Sequence, residues 1–178
     1  MIIWLASYPK SGNTWIRSFI YTLLYTKNIT SDLNKINFIK QYPVKEQFKD
    51  LVENFNNFSQ ISEQWVQSQN LINLDKKIKF LKTHHIMCEL NGNKFTNLNN
   101  SLGAIHIVRD PRNVITSIKN HYSKKNYEEA YEFLIDENHC IDVENTSHKN
   151  IDKKKILNTL ISSWSTHYNS WKNFPINY

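Results

Sequence analysis

Three short stretches of the chain carry residues whose types and spacing suit chemistry on an anionic substrate. The first is Ser7-Tyr8-Pro9-Lys10-Ser11-Gly12-Asn13-Thr14-Trp15. Set against the phosphate-binding pattern G-x-x-x-x-G-K-[ST], Gly12 stands at the second glycine and Thr14 at the hydroxyl residue, while Ser7 replaces the first glycine and Asn13 the lysine. The backbone amides of Ser11, Gly12, Asn13 and Thr14 can still point at an anion at a helix N-terminus, where the helix dipole adds to the attraction. Lys10 would approach that anion from the other side of the loop. Such a loop holds a phosphate, though not in the manner of an ATPase. The second stretch is Phe80-Leu81-Lys82-Thr83-His84-His85. A hydroxyl nucleophile attacks poorly unless its proton leaves as the new bond forms, and a histidine, with an unperturbed pKa of about 6.5, can take that proton at neutral pH. The third stretch runs from Arg109 through Asp110-Pro111-Arg112 to Ser117. The guanidinium fork can bind phosphate oxygens bidentately, and a serine adds one hydroxyl donor.

The elements that must position these residues follow from hydrophobic patterning. Residues 2–6 are a short apolar run, read as a buried strand, and residues 14–25 carry Trp15, Phe19 and Leu23 beside Ile16, Ile20 and Leu24, a helical apolar stripe. A strand, a turn and a helix thus open the chain. Residues 44–74 read as one or two amphipathic helices around Phe48, Leu51, Val52, Phe55, Ile61, Trp65, Leu71 and Ile72. Residues 78–81 are a second strand, 91–100 an asparagine-rich surface loop and 104–108 a third strand. Asp110 as N-cap with Pro111 at the first helical position starts a helix that runs to about His121. A helix near 127–136 precedes a polar, mobile loop at 137–150, and Ile156, Leu160, Trp164 and Tyr168, four apart, mark one face of a last helix over 152–172. Strands alternating with helices predict an α/β fold, a parallel sheet with helices on both faces. Residues 1–178 read as a single domain without internal repeat or linker, and the ending Phe174-Pro175-Ile176-Asn177-Tyr178 reads as the entry to a further strand, so the domain is expected to be C-terminally incomplete.

The octet YPKSGNTW resembles the 5′-phosphosulfate-binding loop of the sulfotransferases that use 3′-phosphoadenosine 5′-phosphosulfate (PAPS), usually written YPKSGTTW, with Asn13 as the one departure. The resemblance extends to Lys82-Thr83-His84 and to the segment from Arg109 to Ser117, and the three motifs come in the family's order. It implies a P-loop-like sheet and transfer of a sulfuryl group from PAPS to a hydroxyl or amine by in-line displacement. By the same resemblance His84 is the general base and His85 only its neighbour, and Lys10 and Lys82 lie near the transferring group. Lys10, Ser11, Gly12, Asn13, Thr14 and Trp15 would bind the nucleotide, and Arg109 with Ser117 would bind its 3′-phosphate. Ser117 lies about two turns into its helix, so it meets Arg109 only through a ligand lying along the first turns. Arg112 receives no catalytic role. The family's Arg-Lys-Gly loop, which clamps the 3′-phosphate and adenine, is not found.

Composition bounds the alternatives. A length of 178 residues is about one domain on a prior of roughly 100–200 residues. The net charge of +6 comes from 22 basic residues of which only Arg17, Arg109 and Arg112 are arginine. Scattered lysine is a solvated surface, so no nucleic-acid partner is expected. No apolar run approaches the roughly 18–20 residues of a membrane span. No basic leader precedes an A-x-A cleavage site, and Cys88 and Cys140 lie far apart without metal-type neighbours, which points to a cytoplasmic protein. No metal is expected either, since the lysines and loop amides supply the positive field. The acceptor, a small molecule or carbohydrate, would lie among 44–74, 91–100 and 137–150. Two other readings remain open, a non-catalytic nucleotide-binding remnant and a nucleotide kinase with an aberrant loop; Asn13 and the lack of a strand-end aspartate weigh against the kinase.

Overall fold

The computed structural model describes residues 1–25, 37–141 and 155–173. Its centre is β1 (Ile2–Ser7), a strand buried along nearly its whole length. It pairs in parallel with β2 (Lys79–Thr83) on one side and β5 (Ser101–Ile107) on the other, in the order β2-β1-β5. A strand covered on both faces needs apolar residues in an unbroken run, which Ile2-Ile3-Trp4-Leu5-Ala6 supplies. The chain segment Lys40–Tyr42 lies parallel along the outer edge of β2, where Lys82 donates its amide to Lys40 O (2.9 Å) and Tyr42 donates to Lys82 O (2.8 Å).

Helices cover both faces of the sheet. On one, Leu5, Phe80 and Ile107 pack against Ile16 and Ile20 of α1 (Asn13–Tyr25) and against Ile39. On the other, Trp4 and Leu81 pack against Trp65 of α3 (Trp65–Ile72) and Trp171 of α6 (Trp164–Lys172). Trp4 is the hub there: its ring lies 5.4 Å from Tyr42, 5.5 Å from Phe95 and 6.4 Å from Trp171, and its Nε1 donates to Ser101 Oγ at 2.7 Å. A third cluster joins α4 (Pro111–His121) and α5 (Tyr127–Ile135) to Tyr8 and Ile161. The expected helix start is present: Asp110 accepts from Arg112 N, with Pro111 following.

Several expected elements differ. The apolar stripe of α1 is only half used, since Ile16 and Ile20 face the sheet while Trp15, Phe19 and Leu23 are exposed. Residues 44–74 do hold two helices, but both are short and lie in the second half of the segment. A 3-10 turn (Lys45–Gln47) leads into turns, followed by the short α2 (Phe58–Glu63) and α3. Asparagines break the run: Asn54 Oδ1 accepts from Asn56 N, and Asn57 caps α2 by accepting from Gln60 N. The 91–100 segment is not all loop, because β3 (Glu89–Leu90) and β4 (Asn93–Lys94) form an antiparallel hairpin. The last helix is shorter than 152–172. Buried Leu157, Thr159 and Ile161 alternate with period two, a strand pattern, and β7 (Thr159–Leu160) pairs with β6 (Cys140–Ile141). Ser162, at φ 57°, then turns the chain and Ser163 caps α6. Of the polar segment expected at 137–150, residues 142–150 lie outside the described residues, as do 152–154 of the expected helix.

The two kinds of apolar position should separate in stability. Trp4→Ala removes a ring packed on all sides and should cost about 3–5 kcal/mol. Phe19→Ala, at a residue 63% exposed, should stay within about 0.5 kcal/mol. Chemical denaturation of both variants checks this, and a large loss at Phe19 would show that the outer face of α1 is covered.

Candidate active site

The C-terminal ends of the three parallel strands bring the sequence motifs to one edge of the sheet. In open α/β sheets this edge, where successive strands part to either side of the central one, is where ligands bind. After Ser7 the chain turns through Tyr8–Gly12 into α1. Tyr8 anchors the turn, its hydroxyl donating to Phe133 O at 3.2 Å. Lys10 at φ 68° and Gly12 at φ 107° both hold left-handed backbone, and at Gly12 that angle rather than crowding favours glycine, because an added Cβ would meet nothing within 4 Å.

The loop offers donors to an anion, though fewer than expected. Ser11 N is engaged with Tyr8 O at 3.2 Å. Asn13 and Thr14 open α1, and the first amides of a helix have no intrahelical carbonyl to bond. The Asn13 side chain faces inward. Its Nδ2 donates to Leu5 O (2.9 Å) and Ser7 Oγ (3.1 Å), so it staples the loop to the end of β1 instead of reaching outward. Ser11 Oγ is buried without a protein partner. A buried hydroxyl of this kind beside free helix amides is a place where an anion's oxygen fits.

Lys10 and Arg109 meet at this loop. Arg109 Nη1 donates to Lys10 O at 3.2 Å, and burial, together with the nearby Arg109 charge, lowers the Lys10 pKa from its ordinary value. Ser117 is half-buried on α4 and makes no hydrogen bond to Arg109. Trp15 stands 82% exposed beside the loop. Arg112 is committed to Asp110, through contacts of 2.5 and 3.0 Å.

Strand alternation separates the two histidines. Leu81, Thr83 and His85 are buried toward the aromatic core, whereas Lys82 and His84 share the other side. His85 stacks on Phe95 (4.5 Å between centroids, 9° between planes) with the Trp65 edge at 4.9 Å, and burial pulls its pKa down to about 4. The His84 ring reaches the turn: Nδ1 lies 2.7 Å from Ser7 O and 3.1 Å from Ser7 Oγ. A carbonyl only accepts, so Nδ1 carries the proton and Nε2 is left with its lone pair. Burial first, then the Lys82 charge, holds His84 well below the ordinary histidine range. The His84 main chain is fixed from behind by α6, where His167 Nε2 donates to His84 O (3.2 Å) and Trp171 Nε1 donates to His85 O (3.0 Å).

Two residues outside the motifs join the site. Arg17, buried on α1, adds positive potential at both Lys82 and His84. It lies four residues after Asn13, on the same helix face, and an arginine interrupting the inward face of an apolar helix was the available signal. Gln41, on the segment beside β2, accepts from Lys82 Nζ at 3.0 Å; no local pattern announces it.

A strand–turn–helix with its first helix amides open, next to a parallel strand end that carries Lys82 and His84, defines a P-loop-like α/β fold. A family model for the sulfotransferase domain matches residues 2–175, nearly the whole chain, and the chain belongs to that family. Its chemistry is sulfuryl transfer. No curated protein sequence matches the chain. Among the described residues no helix is long and apolar enough to cross a membrane.

Lys82 carries a measurable signature of this site. Burial first and the Arg17 charge second lower its pKa from 10.5 to about 7. Between those values the unfolded chain binds more protons than the folded one, so Lys82 makes stability rise with pH across that window. Lys82→Met should abolish this component in denaturant titrations at a series of pH values. Parallel slopes for the two proteins would show that Lys82 titrates like a free amine.

Proposed function

We propose that the protein transfers the sulfuryl group of PAPS to a hydroxyl, or an amine, of a small-molecule or carbohydrate acceptor, with His84 as general base. The observation that carries this is the His84 ring held through Nδ1 by Ser7 O, with Nε2 unprotonated at the end of β2. As the acceptor oxygen attacks sulfur, its proton passes to His84 Nε2, and the bond from sulfur to the 5′-phosphate oxygen breaks in line. The transfer needs little covalent work from the protein, so positioning and charge dominate. Lys10 and Lys82 stabilise charge on the sulfuryl and leaving phosphate oxygens. Ser11, Gly12, Asn13 and Thr14 hold the 5′ end, the amides of Asn13 and Thr14 and the Ser11 hydroxyl being the groups best disposed to do so, and the exposed ring of Trp15 offers a flat face to the nucleotide. Arg109 and Ser117 bind the 3′-phosphate, which bridges a distance they do not span themselves. Residues 1–178 act as one domain in the cytoplasm.

Sulfate transfer from radiolabelled PAPS to a panel of sugars, phenols and alcohols tests the activity, and the histidines test the mechanism. His84→Ala should lower turnover by roughly 10²–10⁴ with nucleotide binding kept. His85→Ala should instead lose stability, by about 3 kcal/mol for a ring stacked in the core, and keep turnover below its unfolding temperature. The opposite assignment of the dead variant would shift the base by one residue. Arg109→Ala should weaken a 3′-phosphorylated nucleotide by about one to two decades and spare the same nucleotide without that phosphate. Equal weakening of both would place the arginine on another group.

A further inference from the structure

Lys82 is held by a segment that none of the three motifs includes. Gln41 pairs with Lys82 as a parallel bridge, and the two backbone bonds on either side of it, from Lys82 N to Lys40 O and from Tyr42 N to Lys82 O, fix the segment against β2. The Gln41 side chain then turns toward the strand, and Oε1 accepts from Lys82 Nζ at 3.0 Å. Behind it, Gln47 Nε2 donates to Gln41 O (3.0 Å) and Gln47 Oε1 accepts from Val44 N (2.9 Å). The acceptor that meets the ammonium is therefore itself pinned at its backbone.

The nature of that acceptor is informative. A half-buried ammonium is ordinarily paired with a carboxylate. Here it meets an uncharged amide, and among the described residues the charged or titratable groups acting on Lys82 and His84 are the Arg17 guanidinium from α1, Lys82 itself on β2, and His167 from α6; none of these is acidic. A neutral acceptor fixes the direction of the ammonium without cancelling its charge. A glutamate in the same place would fix the direction and cancel it.

Building on the sulfuryl-transfer reading, we infer that Gln41 is a positioning residue that aims the Lys82 ammonium at the sulfuryl end of the donor while leaving its charge for that group. Two nearly isosteric changes divide these functions. Gln41→Glu keeps the hydrogen bond and adds a charge; Gln41→Met keeps the length and removes the acceptor. Both leave the backbone bonds of the segment in place.

The test compares two nucleotides on the whole chain by calorimetry, PAPS and 3′-phosphoadenosine 5′-phosphate, which lacks the sulfuryl group. It also follows the titration of Lys82 Nζ by nitrogen-15 NMR. Both Gln41 variants should weaken PAPS by roughly tenfold and leave the sulfuryl-free nucleotide within about twofold. Gln41→Glu should move the Lys82 titration up by at least about one pH unit, and Gln41→Met should not. Equal weakening of both nucleotides, or no change in either, overturns the positioning role while leaving sulfuryl transfer intact. A Lys82 titration that ignores Gln41→Glu overturns it as well. A wild-type chain that binds neither nucleotide overturns the underlying reading, and the role of Gln41 with it.

Discussion

The hydrogen bond from His84 Nδ1 to the Ser7 carbonyl is the contact on which the site depends. It joins the last residue of β1 to the residue just beyond β2, so the loop after β1 and the histidine cannot move independently. It also decides the histidine's chemistry. Once Nδ1 is a donor, Nε2 must be the acceptor, and burial keeps the ring from taking a second proton. Asn13 reinforces the same point from the helix side by bonding Leu5 O and Ser7 Oγ. Strand end, loop, helix start and the His84 imidazole thus form one hydrogen-bonded junction.

The second constraint is charge. Arg17 lies near Lys82 and Arg109 near Lys10, and the lowered pKa values of the two lysines reflect burial first and the neighbouring cation second. An incoming polyanion reverses those shifts, because each negative oxygen favours the protonated lysines. The arrangement suits a transfer in which negative charge shifts between oxygens and the protein need only hold positive groups where it goes.

How much of this could be read from the chain depends on whether the cause was local. The strand–turn–helix at the start of the chain is legible because Pro9, Gly12 and the following helix act within one turn. The helix at Pro111 was legible for the same reason. The facing of His84 and His85 follows from strand alternation once Thr83 is known to point inward. Asn13 reads locally as a replacement for a ligand-binding residue, yet its amide turns into the loop, because the carbonyl of Leu5 lies across the turn and only the folded chain brings it there. Gln41 joins the site through strand pairing across 41 residues, which no local spacing encodes. Apolar residues four apart at Ile156, Leu160, Trp164 and Tyr168 mimic one long helix because they coincide with a period-two run, Leu157, Thr159 and Ile161, that pairs as a strand before Ser162 turns the chain.

The junction between Ser7 and His84 is open to one direct observation. Long-range proton–nitrogen correlation spectra of the imidazoles, recorded over a pH series on the nitrogen-15-labelled chain, report tautomer and protonation for each histidine separately. His84 should carry its proton on Nδ1 and stay neutral well below the ordinary histidine pKa. A His84 protonated on Nε2, or one that titrates like a free imidazole, would contradict that assignment.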